Sequence, residues 1–463
     1  MTSWAPVKLS PRGPVYVAIA DALADDVRAG KLVPGTRLPT HRSLAETLGV
    51  NVVTVTRAYA EAARRGLVQG EVGRGTFVRF TPPDDTRRLV RAKRGRPRID
   101  FEMGVPSAPP ELLATQDYFT ELAADPSGVH LETGYRTEGL EPHRRAAARW
   151  LSQAGLEADE ERIMLTCGAQ HALHVALGAQ LEPGDTLLVA ELTYPGVKAL
   201  ASILRLRLLP VRMDAYGLLP DALEDACRRA NAKALYCMPN VQNPTGCLLD
   251  VERRRDIASL AERYDLALIE DDTSGFVCDP VIPPLSAFAP MRTTFVTSTS
   301  KSMAPGLRIG FLHAPDAGIS ERMFAQAGAS SWMAPPLMAG LAARWIEDGT
   351  ADALVAWKRA SFLRRRAAFD ARFGSDASPS PACSGYLWLP LPEPWRTGDV
   401  VRQAERRGIG LSPADFFVAG RAEAPHAVRL SLGRPETDAL VDEGFDALRE
   451  ILEGAPEVGH GIV

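Results

Sequence analysis

The apolar positions of the first eighty residues repeat at two periods. Val15, Ile19, Leu23 and Val27 recur at helical spacing and Gly30 ends the run as a C-cap would, predicting a helix over 15–29. Leu32-Val33-Pro34-Gly35 then reads as a turn, Thr40 caps a second short helix through Leu48, and Gly49-Val50-Asn51 leads into a third. Asn51 is a good N-cap for that helix, which ends near Arg65 and turns Val55, Ala58, Tyr59 and Ala62 inward. After Gly66 come two extended pieces, Leu67-Val68-Gln69 and Gly75-Thr76-Phe77-Val78-Arg79, about a turn at 70–73. Three helices and a two-stranded wing make a winged helix-turn-helix over residues 13–80. From residue 99 to 463 the pattern is α/β: short apolar runs at 163–165, 187–189, 234–238, 267–269, 294–296 and 308–312 alternate with helical stretches. That alternation predicts a mostly parallel sheet covered by helices, with a large part of about 145–320 and a small part of about 320–455.

Charge separates the two regions further. The net charge of -4 hides a head, residues 1–98, with 18 Lys/Arg against 8 Asp/Glu, so that residues 99–463 carry -14. A basic head on an acidic body points to a polyanion-binding module joined to something else. The connector 81–98 is rich in proline, glycine and like charges, which argues for a mobile linker. Within it Arg94-Gly95-Arg96-Pro97 resembles the core of an AT-hook, and a solvated basic linker is the plainer reading. Six cysteines (167, 227, 237, 247, 278, 383) show no CxxC pair and mostly lie in apolar segments, so buried free thiols are expected rather than disulfides or zinc. The eight histidines form no metal-spaced cluster. The start, MTSWAPVKLSPRG, has no apolar core of signal-peptide length and no apolar run approaches a membrane span, so a cytoplasmic protein is expected.

The candidate chemistry sits at strand ends. Thr294-Phe295-Val296-Thr297 reads as a buried strand, and Ser298-Thr299-Ser300-Lys301 follows it, with Arg308 seven positions after the lysine. A lysine there can form a Schiff base with an aldehyde cofactor, while Ser298, Ser300 and the Arg308 fork can hold phosphate oxygens. Thr166-Cys167-Gly168-Ala169-Gln170 is a strand end, a glycine and a helix start, whose backbone amides make a phosphate site. The asparagine amides of Pro239-Asn240-Val241-Gln242-Asn243-Pro244-Thr245-Gly246 can bond a ring oxygen. Glu270-Asp271-Asp272 ends another strand with three carboxylates, one of which can sit against a pyridinium nitrogen. In such sheets ligands gather outside the carboxyl ends of the strands.

Two resemblances follow from these residues. Leu38-Pro39-Thr40-His41-Arg42-Ser43-Leu44-Ala45, Thr54-Val55, Ala58-Tyr59, Gly66-Leu67-Val68 and Gly73-Arg74-Gly75-Thr76-Phe77-Val78 resemble the GntR-type DNA-binding domain. The resemblance implies that Arg42 clamps a phosphate, that the stretch Asn51 to Arg57, Thr54 included, enters the major groove of double-stranded DNA, and that Arg74 and Thr76 touch backbone or minor groove. Val52 departs from the arginine usual there. The body, over 99–450, resembles fold-type I pyridoxal-phosphate proteins of the class I/II aminotransferase kind. That implies a pyridoxal 5'-phosphate cofactor bonded to Lys301, with Ala169, Gln170, Ser298, Ser300 and Arg308 on its phosphate and Tyr194 stacked on its ring. It further implies Asn243 on the ring hydroxyl, Asp271 on the ring nitrogen, Arg429 on a substrate carboxylate, and Tyr135 reaching the phosphate across a dimer interface.

The family's tyrosine two or three residues after the Asp271 position is replaced by Thr273 and Ser274, whose shorter hydroxyls can bond the ring hydroxyl only through water or a shifted loop; the alternative is that Tyr216, Tyr236, Tyr264 or Tyr386 reaches in from elsewhere. Head and body together resemble MocR-type transcription regulators. A homodimeric DNA-binding regulator that senses a small amine, an amino acid or the cofactor itself is the first expectation. An active aminotransferase carrying a DNA-binding head is the second.

Overall fold

In the computed structural model the described residues are 4–6, 14–28, 31–32, 36–64, 67–71, 75–78, 97–104, 108, 110–113, 115–125, 136–279, 281–420 and 423–455. The chain divides into two compact units, Met1–Arg87 and Arg88–Val463. Several expectations fall outside the described residues: the Gly30 stop, the turn through Val33, Pro34 and Gly35, the helix end at Arg65 with Gly66, Arg74, the linker with its Arg94-Gly95-Arg96 motif, and Tyr135.

The first unit holds helices α1 (Val15–Arg28), α2 (His41–Leu48) and α3 (Val52–Arg64), then strands β1 (Val68–Glu71) and β2 (Gly75–Val78). Each boundary has a local cause. Thr40 caps α2 by accepting from the Ser43 amide at 3.2 Å, and Gly49 takes the left-handed conformation that closes it. Asn51 Oδ1 accepts from the Val53 amide at 2.9 Å and opens α3. Ile19, Leu44, Val55, Ala58 and Ala62 lock the helices with no exposed surface. β1 and β2 are antiparallel, Val68 opposite Val78. A third extended piece, unread in the sequence, joins them: the Leu38 amide donates to Thr76 O and the Val78 amide to Thr36 O, both at 2.9 Å.

The second unit is built on a seven-stranded sheet of β3 (Ile163–Thr166), β4 (Thr186–Ala190), β5 (Arg207–Val211), β6 (Ala232–Cys237), β7 (Ala267–Asp271), β8 (Thr293–Ser298) and β9 (Gly310–His313). Their spatial order is β3-β9-β8-β7-β6-β4-β5, and β9 alone runs antiparallel to its neighbours. β5 has no counterpart among the expected runs. It is the edge strand and tolerates Pro210, whose missing N–H a central strand would need. Arg308, expected to begin the last strand, instead turns left-handed (φ 55°, ψ 32°) ahead of β9. Helices α4 (Ala169–Gln180) and α5 (Pro195–Ile203) cover one face with Leu173, Val175 and Val197 fully buried.

The long helix α6 (Thr350–Phe373) leads into a smaller antiparallel sheet of β10 (Tyr386–Pro390), β11 (Ser412–Pro413) and β12 (Ala427–Ser431), backed by α7 (Asp438–Glu453). Ile99–Asp100 pairs with Ile409–Gly410, and Phe101 stacks on Phe445 of α7 at 5.5 Å. The start of the body therefore packs into its carboxyl-terminal part.

The expectation of free thiols fails at two positions. Cys278 and Cys383 form a disulfide across 105 residues, with Cα atoms 5.2 Å apart. No local spacing announces a pair that only the meeting of two distant loops creates. Cys227, Cys237 and Cys247 are free and buried, and Cys167 is free and half-buried.

Candidate functional site

The motifs read at strand ends converge at the carboxyl edge of the sheet. After β3, Gly168 adopts φ 87°, which places the α4 amino terminus at Ala169 and Gln170 toward the site. The Arg308 guanidinium lies against that turn and donates to Cys167 O at 3.2 Å; a Cβ at Gly168 would stand 2.6 Å from it. Gln170 donates to Gly196 O at 3.0 Å, and its own Oε1 is buried with no donor among the described residues. Tyr194 opens α5 beside it, its phenol pushed well up by burial and by the Asp271 charge. Ser298 Oγ caps the short turn Thr299–Ser302 that carries Ser300 and the half-buried Lys301.

The three carboxylates ending β7 have distinct environments. Glu270 accepts from the Leu285 and Ser286 amides at 2.8 and 3.0 Å. Asp272 is used on both oxygens, by Asn240 Nδ2 at 2.9 Å and the Gly275 amide at 2.8 Å. Asn240 is held in turn by Arg254, a fully buried guanidinium bonded to Leu249, Pro239 and Pro283 carbonyls. Asp271 alone keeps an oxygen in reserve: Oδ2 accepts from Tyr236 Oη at 2.7 Å, while Oδ1 is buried without a partner among the described residues. Burial lifts Asp271 to about 7, opposed by the Tyr236 hydrogen bond.

Arg429, on β12, is also buried. It donates to Asn243 Oδ1 at 2.8 Å, to Ser412 Oγ at 3.1 Å and to Glu102 O, and lies 4.9 Å from the Tyr386 and Phe417 ring centres. Its Nε has no acceptor among the described residues. Glu102, Ser412 and Phe417 had no signal in the sequence, since each meets Arg429 only through tertiary contact. Of the four tyrosines that could stand in for the missing one, Tyr236 bonds Asp271, and Tyr386 lines the cavity at Lys301 with Ser274, Val277 and Phe362. Tyr216 is 66% exposed and Tyr264 bonds Glu224 on the surface, so neither reaches the site.

On the first unit Arg42, Asn51 and Arg57 are exposed and Thr54 and Thr76 half-buried. Asn51 spends its amide oxygen on the α3 cap. Val52 and Val53 stand 40% and 59% exposed at the same helix start. Among the described residues no group of three or more His, Cys, Asp or Glu is placed to hold a metal, and no helix is long and apolar enough to cross a membrane.

Residues 120–447 match the family "Aminotransferase class I and II", and residues 15–78 match "Bacterial regulatory proteins, gntR family". The HTH-type transcriptional regulator YdeF of Bacillus subtilis is 31% identical over 461 residues, 97% of each chain. The chain belongs to the MocR-type transcription regulators.

Other regulators of this family align too. The vitamin B6 salvage pathway transcriptional repressor PtsJ of Salmonella typhimurium is 29% identical over 84% of this chain and 90% of its own. The probable rhizopine catabolism regulatory protein MocR of Rhizobium meliloti is 28% identical over 65% of this chain and 66% of its own. In fold the body resembles an archaeal alanine:glyoxylate aminotransferase, with a TM-score of 0.71 at 22% identity over 85% of this chain and 99% of that one.

The cofactor of the aminotransferase family is pyridoxal 5'-phosphate. The residues present suit it. A buried carboxylate oxygen without a donor, at the strand end beside the Lys301 turn, matches a protonated ring nitrogen, and the Gly168 turn beside Arg308 has room only for backbone where a phosphate would lie.

Proposed function

We propose that this protein is a DNA-binding regulator whose body holds pyridoxal phosphate at Lys301 and answers to a small amine or amino acid. The observation that supports it most is Asp271: of three adjacent carboxylates, two are consumed by the protein and one keeps a buried oxygen unmet. When bound, the cofactor would supply an aldehyde able to bond either the Lys301 amine or the amine of a ligand. Asp271 then holds the proton on the ring nitrogen, and Tyr236 fixes the rotation of its carboxylate. Asn243, its oxygen already engaged by Arg429, offers its NH₂ to the ring hydroxyl, and Tyr194 covers the ring. Ala169, Gln170, Ser298, Ser300 and Arg308 surround the phosphate. Arg429, with Nε unspent between two aromatic rings, receives a ligand carboxylate.

On the head, Arg42 clamps a phosphate, while α3 enters the major groove with Asn51, Thr54 and Arg57, and Thr76 and Arg74 touch the backbone or minor groove. A homodimer presents two such heads to paired half-sites. A ligand that favours one body conformation shifts DNA affinity by a coupling of about 1–3 kcal/mol. The second reading, an active aminotransferase, is favoured by the intact Lys301, Asp271 and Arg429 set.

One experiment separates the two. The protein is titrated with pyridoxal phosphate and then with amines and amino acids, following visible absorbance and operator-fragment binding in the same samples. A spectral change that moves DNA affinity without steady keto-acid formation supports the regulator. Sustained keto-acid formation with DNA affinity unmoved overturns it. Lys301→Ala abolishes the absorbance of the lysine-bound cofactor while DNA binding by the head persists; retention of that absorbance refutes the lysine's role.

A further inference from the structure

Among the cations of helix α6, two pairs stand seven positions apart, Lys358 and Arg359 and, two turns on, Arg365 and Arg366. Each ends on backbone carbonyls of a segment that builds the site. Arg359 reaches Val277 O at 3.0 Å, in the loop after Asp271. Arg365 reaches Leu432 O at 2.5 Å, just beyond the Arg429 strand, and Arg366 reaches Ser378 O at 3.1 Å on the approach to Tyr386. These three arginines also pair with carboxylates, Asp279, Asp438 and Asp370.

Lys358 differs. It is fully buried, no carboxylate pairs with it among the described residues, and its Nζ donates to Lys301 O at 3.1 Å, Ser302 O at 3.0 Å and Met303 O. Those are the open carbonyls of the turn that carries Lys301. Burial, and after it the nearby Lys301 charge, pull Lys358 down to about 7. Three carbonyls need three donors, however, and a neutral amine has only two, so the turn holds the third proton on.

We propose that Lys358 is a positioning residue for Lys301: its ammonium ties off the carbonyl end of the 299–302 turn, so that the Lys301 side chain leaves in one direction with a positive charge beside it for as long as that ammonium keeps its proton. This rests on reading Lys301 as the cofactor lysine. Through α6 it also links that lysine to the same helix that grips the Asp271 loop and the Arg429 strand.

The test uses the full-length protein as wild type, Lys301→Ala, Lys358→Met, Lys358→Gln and Arg372→Met, with pyridoxal phosphate as probe. Three quantities are read: the melting temperature, the cofactor Kd and the pH midpoint of the visible band. A wild-type band that Lys301→Ala abolishes holds the underlying reading; a wild type without a band overturns that reading and this proposal with it. Lys358→Met is expected to weaken cofactor binding about tenfold and to move the midpoint up by about one pH unit, because a positive charge that opposes protonation has gone. Lys358→Gln, which keeps two donors but no charge, recovers part of the affinity and none of the midpoint. Arg372→Met, which removes a carbonyl-binding cation of the same helix that among the described residues bonds only Ala368 O, Asp442 and Asp446, lowers the melting temperature and leaves Kd and midpoint in place. Overturning results are a Lys358→Met midpoint equal to wild type with only thermal stability lost, or failure of both Lys358 variants to fold, which would assign the residue to stability alone.

Discussion

Tyr236→Phe removes one oxygen and leaves the Asp271 carboxylate, fully buried, with no side-chain donor on either oxygen. A hydrogen bond to a charged group is worth about 1.5–3 kcal/mol, or roughly 1–2 pH units on its acceptor. In the cofactor-free protein burial already holds Asp271 at about 7. The variant carries it up to roughly 8–9. Because the carboxylate, and not the acid, meets the ring nitrogen, each pH unit below that value costs cofactor affinity about tenfold. At pH 7, where the wild-type carboxyl is half ionised, the variant therefore binds pyridoxal phosphate about 5–50-fold more weakly than wild type, and the gap closes above roughly pH 9. Kd from absorbance titrations between pH 6 and 9, taken as the ratio of variant to wild type, cancels the cofactor's own titrations. A ratio near one throughout refutes the coupling. A ratio that is large but constant with pH means Tyr236 acts by packing instead. The sign for stability is opposite: a carboxyl raised on folding takes up a proton that the unfolded chain does not, so this group makes the cofactor-free protein more stable as pH falls from about 7 toward the ordinary carboxylate range.

Two further outcomes are expected. Arg42→Ala weakens binding to all DNA sequences alike and lowers the slope of log affinity against log salt by about one; an unchanged slope means no phosphate contact. Cys383→Ser, or reduction of the wild type, opens a loop of 105 residues and costs about 4–5 kcal/mol in the chain-entropy view, read by urea unfolding; equal midpoints with and without reductant would show that the bridge does not form in solution.

Residue order alone carries much of the head, because its helices are bounded by short-range chemistry: Thr40, Gly49 and Asn51 act on amides and carbonyls within a few positions of themselves. Six strands of the main sheet were legible for a related reason, since a strand buried on both faces is an uninterrupted apolar run. β5 was not, because an edge strand can carry Arg207 and Pro210 without losing a ladder. The chemistry at strand ends was legible as residue types: a lysine among hydroxyls, an Asn-Pro turn, a run of three acids.

What the order of residues could not decide was which of these groups the protein spends on itself. Within the run of three acids, Glu270 and Asp272 are both satisfied by neighbours 3–32 residues away, which leaves Asp271 by subtraction. The tyrosine partner comes from the adjacent strand, the Glu102 carbonyl from the start of the body 327 residues before Arg429, and the Lys301 turn is closed by a lysine 57 positions on. Caps, turns and buried strands are set by contacts a few residues long and so are written in sequence. Burial, hydrogen-bond satisfaction and charge pairing depend on which distant segments meet, and only the folded chain determines that.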